Sequence, residues 1–320
     1  MNKGMGYIGR RILLILPTVL GAFTLVFFIV HLAPGDPIDV LLMDVESGTA
    51  EQIKQELREQ FGLDKPIHEQ YFIFLKNTIT GDLGTSIIRR QPVSKVLAPT
   101  IKPTIMLAVS AVALSVIIGV PAGVASALRR NRPTDYIIMT VAVIWLSVPG
   151  FWLGILLIYY LGFKVAIFPM FGGGAGGGFT SELYHLVLPA FAVGARSAAL
   201  VARMARSSIL EVLNQDYIRT ARSKGLRERV VVYKHALRNA VIPVITVVGM
   251  DLAYLLGGTV IVETVFGRVG LGKTMIDAIT QRDYPVVQGA ILLFAVGIVL
   301  VNFLTDLAYA IANPRIRLGK

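Results

Sequence analysis

Residues 105–128 read IMLAVSAVALSVIIGVPAGVASAL, a largely apolar run without a charged side chain. About 20 such residues are enough for a helix to cross the hydrocarbon core of a bilayer. The chain has similar stretches at 12–30, 136–163, 186–202, 239–262 and 285–305. Only 16% of its 320 residues are charged, against roughly 25% in an ordinary soluble domain. The sequence therefore predicts an all-α integral membrane protein with six transmembrane helices.

Lysine and arginine are distributed unevenly about these spans. With a cytoplasmic N-terminus, the segments on the cytoplasmic side contain 18 basic and 4 acidic residues, and those on the opposite side contain 11 basic and 14 acidic residues. This is the positive-inside pattern, and it predicts that both termini are cytoplasmic. It also explains the net charge of +11 without a nucleic-acid partner. The cytoplasmic segments in this count are 1–11, 129–135, 203–238 and 314–320.

The spans divide the chain into three predicted regions. Residues 1–32 form a cytoplasmic N-terminus and the first span, which we interpret as retained because no A-x-A cleavage pattern follows it. Residues 33–99 form a small extracytoplasmic insert, with helical periodicity at 49–61 and 67–79. Residues 100–320 form a transmembrane core of five spans, including a cytoplasmic loop at 203–238. An insert of this size is marginally stable alone, so we expect it to pack on the membrane domain or on a partner.

Several site types are excluded by composition or context. The chain has no cysteine, and its four histidines are too far apart to suggest a metal site. Residues 267–274, GRVGLGKT, match the phosphate-loop pattern letter for letter. However, a predicted span precedes them, the charge pattern assigns them to the extracytoplasmic side, and too few residues follow for a nucleotide-binding domain. The run GGGAGGG at 172–178 is predicted to be a flexible surface connection.

Between the fourth and fifth spans, residues 216–225 read DYIRTARSKG. Asn214 or Asp216 suits the N-cap of a short helix, and Gly225 suits the left-handed residue that ends one. A second helix is expected from about Leu226. A helix, a glycine stop and a second helix would form a rigid elbow that another protein's groove could approach closely. The alternative is a basic loop on anionic lipid, which explains the arginines but not the glycine.

The elbow resembles the coupling loop, often called the EAA loop, of the membrane subunits of binding-protein-dependent ABC importers, in particular the dipeptide/oligopeptide/nickel permease branch. That loop runs E-A-A-x-x-x-G and ends at a proline. Here Arg219, Thr220 and Ala221 occupy the leading positions, Gly225 is the glycine and Pro243 closes the loop. Arg219 stands where the family has glutamate, so no role of that glutamate is carried over. Further similar segments are HLAPGDP (31–37), EQYFIFLKNTITGDLGTS (69–86), LRNAVIPV (237–244) and VETVFGRVGLGKTMIDAITQRDYPVVQG (262–289).

The resemblance implies a transport subunit rather than an enzyme. It would be one permease of an ATP-driven importer that moves di- or oligopeptides across the cytoplasmic membrane of a prokaryote by alternating access. Its implied partners are a second homologous permease, two ATP-binding subunits, an extracytoplasmic substrate-binding protein and the lipid bilayer. The chain itself would bind no cofactor and no metal, since ATP and magnesium would be used by the ATP-binding subunits. The residues implied to couple it to these subunits are Asp216, Arg219, Thr220, Ala221 and Gly225.

Two charged residues lie near the middle of predicted spans. Arg196 is about 10 residues from the cytoplasmic end of its span, and Asp251 is about 12 residues from that of its own span. Because a helix rises about 1.5 Å per residue, both residues are expected near the middle of the membrane. Ionisable groups at such depth cost roughly 2.5–3.5 kcal/mol on insertion scales and usually face a cavity or a partner. Either Arg196 and Asp251 line the translocation pathway, where a zwitterionic peptide needs both signs, or they pair with each other or with the sister permease.

Two other classes of membrane protein remain as alternatives. A secondary transporter would show two symmetric halves with paired broken spans, and no convincing internal repeat is present. A membrane-embedded hydrolase would need a nucleophile and base, or metal ligands, within the spans. Neither alternative explains why the chain would have the elbow. The cargo stays open, because dipeptides, longer peptides, glutathione and nickel chelates are carried by similar permeases.

Overall fold

The computed structural model describes residues 17–28, 55, 58, 64–174 and 176–312, and this part of the chain is helical apart from loops and one isolated β-bridge between Thr85 and Pro92. This confirms the predicted all-helical membrane architecture. The helices, in chain order, are α1 (Pro17–Phe28), α2 (Ile67–Ile79), α3 (Val93–Leu128), α4 (Pro133–Ser147), α5 (Gly150–Lys164, with a π-helical end from Ile158), α6 (Gly178–Leu213), α7 (Asp216–Ser223), α8 (Glu228–Val265, with a π-helical turn at Val231–Ala236), α9 (Leu271–Thr280) and α10 (Tyr284–Ala312).

Four of these helices, α3, α6, α8 and α10, are long and apolar enough to cross a membrane. At 36 residues each, α3 and α6 are about 54 Å long, whereas the hydrocarbon core is about 30 Å thick. Both helices therefore extend well beyond a bilayer core. The first predicted span, 12–30, is described only over α1, whose 12 apolar residues are shorter than a full crossing.

The predicted third span, 136–163, is not one helix with a simple kink. It consists of α4 and α5, which are bent by 102° at a short break, and the pair counts as at most one further span. The cause lies in the sequence: Val148 precedes Pro149 and has extended backbone angles of φ −83° and ψ 125°. A residue before proline is driven out of the α region by clash with the proline ring, so the helix ends there.

The centre of the bundle is α6, in which 72% of the most apolar stretch is buried, against 28% in α3. Helices α3 and α6 pack closely because glycines lie at their crossing. A Cβ added to Gly123 would lie 2.5 Å from the carbonyl oxygen of Ala202, and one added to Gly194 would lie 2.7 Å from that of Ala111. Small residues at such contacts are typical of helix pairs in membranes.

Large apolar side chains on the outside of the bundle are exposed, among them Ile117, Val143 and Leu300. Exposed apolar surface on this scale is found where lipid or a protein partner covers it.

Within the described part of the predicted insert, α2 packs on α1. Helix α2 has the predicted bounds 67–79, and its Tyr71 hydroxyl is hydrogen-bonded to Thr24 Oγ1 of α1 at 2.8 Å. The rings of Phe27 and Tyr71 pack edge to face at 5.3 Å. The helix expected at 49–61 lies outside the described residues, apart from positions 55 and 58. The proposed boundary at 99/100 falls inside α3, which is continuous across it.

Candidate functional site: the elbow, the mid-bundle charges and the α9 turn

The segment 216–225 folds as the helix and glycine stop that its sequence predicts. Helix α7 runs from Asp216 to Ser223, and Gly225 has a φ of +75°. Non-glycine residues adopt this left-handed region only at a cost. The predicted cap is wrong, because the N-cap is Gln215, whose side chain makes no capping hydrogen bond, and Asn214 instead ends α6. The second helix begins at Glu228, two residues later than expected.

Packing and a hydrogen bond fix α7 against the rest of the chain. Ile218 and Ala221 are buried and pack with Val231 and Ala236 of α8. The amide Nδ2 of Asn239 donates a 2.7 Å hydrogen bond to the Tyr217 hydroxyl.

Across the glycine turn, the Arg222 guanidinium donates to both Glu228 carboxylate oxygens, at 2.7 and 3.2 Å. This hydrogen bonding raises the pKa of Arg222, whose guanidinium is charged at physiological pH in any case. The elbow is therefore held in one shape from both sides of Gly225.

The five residues predicted for coupling divide into two groups. Asp216, Arg219, Thr220 and Gly225 are exposed, and Arg219 lies 3.6 Å from Asp216 in an exposed ion pair. Ala221 is only 7% exposed and faces the chain's own core. The exposed side of α7 is thus polar and charged, whereas the small side chain of Ala221 lets the helix lie close to α8. Within the predicted segment 203–238, residues 203–213 belong to α6 and residues 228–238 to α8.

Arg196 and Asp251 lie on neighbouring helices but do not form an ion pair in the described structure. The Arg196 guanidinium carbon lies 4.9 Å from the centre of the Tyr254 ring, a cation–π arrangement. Asp251 is 6% exposed, and among the described residues neither its Oδ2 nor Ser197 Oγ of α6 makes a hydrogen bond of normal geometry. The Ser197 hydroxyl and the Arg196 charge are nevertheless close enough to act on the Asp251 carboxylate. No ion pair within 4.0 Å joins Arg196 to Asp251 among the described residues, but the choice between structural pairing and a pathway role stays a prediction.

The phosphate-loop pattern at 267–274 follows a helix, α8, whereas a phosphate loop follows a strand. Its helix N-terminus is already occupied by a carboxylate of the same chain. Oε2 of the fully buried Glu263 accepts hydrogen bonds from the backbone N–H groups of Gly272 and Lys273, at 2.9 and 3.1 Å. Thr104 Oγ1 donates to Glu263 Oε1 at 2.6 Å and accepts from the Leu271 N–H at 2.8 Å. A Cβ on Gly270 would lie 2.3 Å from this carboxyl group, so glycine is required there.

The sequence did not single out the ion pair between Asp135 and Arg206. Asp135, at the start of α4, is 2% exposed and receives two hydrogen bonds of 2.7 Å from the Arg206 guanidinium on α6. Ser126 Oγ and the Asn131 N–H donate to the same carboxylate. In the sequence analysis, these two residues count only as charges of the predicted cytoplasmic segments, and nothing in the sequence indicates that they pair. Their pairing joins α3, α4 and α6 at the end of the bundle that carries α7.

A buried cation, Arg268, lies at the opposite end of the bundle, in the loop between α8 and α9. Arg268 is 2% exposed, and its Nε and Nη1 have no hydrogen-bond partner within the described ranges. Burial lowers the pKa of its guanidinium, and the Glu263 and Glu182 carboxylates oppose that shift. The glycine-rich connection lies against this loop, since the Gly172 N–H donates to the Phe266 carbonyl oxygen at 2.9 Å.

Residues 119–318 match the family described as binding-protein-dependent transport system inner membrane component, and residues 5–93 match the N-terminal family of such membrane components. The glutathione transport system permease protein GsiC of Pectobacterium atrosepticum is 42% identical over 314 residues, which cover 98% of this chain and 99% of that protein. GsiC of Salmonella choleraesuis is 41% identical over 313 residues, with the same coverage.

Among solved structures, a chain of the MetNI methionine ABC transporter in an inward-facing conformation superposes with a TM-score of 0.58. The match covers 68% of this chain and 96% of that chain at 19% identity, so it shows the shared fold alone. The elbow, the helical bundle and the match to the family over most of the chain lead to one conclusion: the chain belongs to the binding-protein-dependent transport system inner membrane components, as an ABC importer permease of the peptide and nickel branch.

Proposed function

We propose that this permease is one of two homologous permease subunits in an ATP-driven peptide importer. Family members of this kind work with ATP-binding and substrate-binding proteins. Here the proposed assembly contains a second permease, two ATP-binding subunits and an extracytoplasmic substrate-binding protein. The chain crosses the cytoplasmic membrane of a prokaryote six times, with α1 completing the first span and both termini in the cytoplasm. The charge asymmetry about the spans supports this orientation.

The observation that carries the proposal is the fixed elbow. Helix α7 presents Asp216, Arg219 and Thr220 to the outside, while Ile218 and Ala221 anchor it to α8. A lipid-bound basic loop would need neither the left-handed glycine nor the hydrogen bonds on both sides of it. A rigid projection with a charged outer face suits docking in a groove of an ATP-binding subunit.

Movement of the elbow would reach the bundle through continuous packing. Val212 and Leu213 of α6 contact the elbow cluster around Ile218 and also the cluster that joins α3, α6 and α8 around Ile209. ATP, with its magnesium, is bound and hydrolysed by the partner subunits, and no cofactor is bound by this chain. Closure of those subunits shifts the permeases between inward-open and outward-open states. The size of the shift is limited by the difference between the affinities of the two states for ATP.

We assign Arg196 and Asp251 to the translocation pathway. Arg196 is partly exposed beside the exposed ring of Tyr254, and Oδ2 of the buried Asp251 makes no hydrogen bond of normal geometry with any described residue. A peptide carries a carboxylate and an ammonium group, which these two side chains complement. The cargo proposed is a short peptide. The names of the 40–42% identical relatives make glutathione, a tripeptide, the first one to test.

The test uses the absence of cysteine from the chain. A Ser223→Cys variant carries a single thiol in the elbow, and an impermeant maleimide added to intact cells should fail to label it until the membrane is opened. Purification of the permease then tests whether an ATP-binding subunit co-purifies with it. Uptake of glutathione and of a dipeptide is measured in proteoliposomes. Uptake should require the ATP-binding and substrate-binding subunits. Labelling from outside intact cells, or uptake by the permease alone, would overturn the proposal.

A further inference from the structure

Helix α6 has an open side along the half of the helix that leads to the elbow. Over residues 188–195 it is almost entirely buried. From Arg196 onward exposure returns: Arg196 and Leu200 are partly exposed, and Arg203 and Ser207 are exposed. Spacings of three and four residues place these side chains on one side of a helix. We call these four residues the open strip of α6.

Helix α8 runs antiparallel beside the open strip. The Arg196 guanidinium carbon lies 4.9 Å from the centre of the Tyr254 ring, and nearer the elbow Val244 of α8 packs in one cluster with Ala205 of α6. Tyr254 is 61% exposed, so the surface stays open on the α8 side of Arg196. The buried Asp251 lies one turn from Tyr254 on α8, and the Arg196 charge acts on it.

The open strip carries positive charge that the chain does not neutralise. Arg203 forms no ion pair with a carboxylate in the part of the chain that the structure describes. The next arginine of α6, Arg206, is instead paired with Asp135. Elsewhere on the outside of the bundle the exposed side chains within the spans are apolar, as at Ile117 and Leu300. Its two arginines, seven residues apart, distinguish the open strip from such lipid-compatible faces.

We propose that Arg203 is a second carboxylate-binding residue of the translocation pathway and that it favours peptides with two carboxylates. This inference rests on the proposed function, which assigns Arg196 and Asp251 to the pathway. The α-carboxylate and the ammonium group of the peptide meet Arg196 and Asp251, respectively. The second carboxylate meets Arg203, about 10 Å nearer the elbow along α6. A guanidinium can bind a carboxylate through two parallel hydrogen bonds.

The spacing of the two arginines suits a short peptide. Three extended residues span at most about 11 Å, close to the rise between Arg196 and Arg203. Glutathione has a carboxylate at each end and one ammonium group, so all three of its charged groups find an opposite charge here. A dipeptide with neutral side chains has no group for Arg203.

A lipid phosphate is the other anion that an arginine near the membrane surface can bind. The position of Arg203 favours the peptide. It shares the open strip with Arg196, which lies too deep in its span to meet a headgroup, and this strip adjoins the helix that carries the buried Asp251.

The experiment compares uptake of glutathione with uptake of its glycine amide, which lacks the second carboxylate, by the complete transporter in proteoliposomes. Every variant uses the same substrate-binding protein, so the preference of that protein cancels in the ratio of variant to wild type. Arg203→Gln should lower glutathione uptake about tenfold and uptake of the amide less than about twofold. Arg130→Gln, at an exposed arginine past the end of α3 and off the open strip, should leave both unchanged. Co-purification of the ATP-binding subunits checks that each variant assembles.

A single thiol distinguishes the peptide from lipid. The chain has no cysteine, so Ser207→Cys places one thiol on the open strip, a turn from Arg203. In nanodiscs, millimolar S-methylglutathione, which has no thiol to consume the reagent, should slow maleimide labelling of this variant. Addition of Arg203→Gln should abolish the slowing.

Equal losses of the two cargoes in Arg203→Gln, or thiol labelling that anionic lipid slows and the cargo does not, would overturn the inference while leaving the importer proposal intact. The same holds for a wild-type transporter that imports dipeptides but no glutathione. A wild-type transporter without ATP-dependent uptake of any peptide would overturn both.

Discussion

The Asp251 carboxylate is 6% exposed and keeps an oxygen without a hydrogen bond among the described residues. A buried ionisable group at mid-membrane depth costs roughly 2.5–3.5 kcal/mol on insertion scales. If this charge had no role in transport, its neutralisation would remove that cost and leave uptake unchanged. In the proposed pathway it meets the ammonium group of the peptide, so loss of its charge removes an attraction on which transport depends.

The Asp251→Asn variant should therefore assemble normally but lower uptake about tenfold, which corresponds to roughly 1.4 kcal/mol. Uptake by proteoliposomes with the full set of subunits, at equal permease content, is the measurement. Asp64→Asn, at an exposed carboxylate outside the helices, is the matched control and should transport like the wild type. Full uptake by Asp251→Asn would remove Asp251 from the pathway.

At the scale of helices, α3 and α6 cross so closely that a side chain added to a glycine of one helix meets the backbone of the other. A Cβ at Gly123 would lie 2.5 Å from the Ala202 carbonyl oxygen and 2.6 Å from the Ala205 Cβ, so the backbones would have to separate. Gly257, inside α8, has nothing within 4 Å of its added Cβ. A glycine-to-alanine substitution can therefore be compared at a crowded position and at an open one.

We expect Gly123→Ala to destabilise the permease by about 1–3 kcal/mol, as overpacking does. Gly257→Ala should stay within about 0.5 kcal/mol of the wild type. The midpoint of thermal unfolding of the purified chain in detergent is the measurement. Equal midpoints for both variants would show that α3 and α6 separate freely, contrary to the packing described.

Local sequence signals predicted the short helices better than the long ones. The bounds of α2 follow from apolar periodicity and the glycine after it, and α7 follows from Gly225 in the same way. Hydropathy marks only the part of a helix that matches the bilayer, so it missed the extension of α6 to Leu213 and the start of α3 at Val93. The pairing of Asp135 with Arg206 depends on a tertiary contact between residues 71 positions apart, which no local pattern contains.

For the whole molecule, α8 connects the elbow to the α9 end of the bundle. Its first turns contact Ile218 and Ala221 of α7, and its last turn carries Glu263, which caps α9. One continuous helix therefore links the proposed contact with an ATP-binding subunit to the turn that begins α9. Because contacts hold the elbow on both sides of Gly225, we expect a displacement of α7 to be passed to α8 instead of being absorbed in the turn.

Substitutions at Gly225 test this transmission directly. Its φ is +75° and an added Cβ would have nothing within 4 Å, so the penalty of a substitution comes from the backbone alone. Asparagine tolerates this conformation, whereas a β-branched residue does not. Gly225→Val should therefore change the angle between α7 and α8 and lower the uptake per ATP hydrolysed severalfold in proteoliposomes, while Gly225→Asn should stay close to the wild type. If valine instead lowered uptake and ATP hydrolysis in equal proportion, the elbow would be an attachment point for the ATP-binding subunit and not the element that transmits its movement.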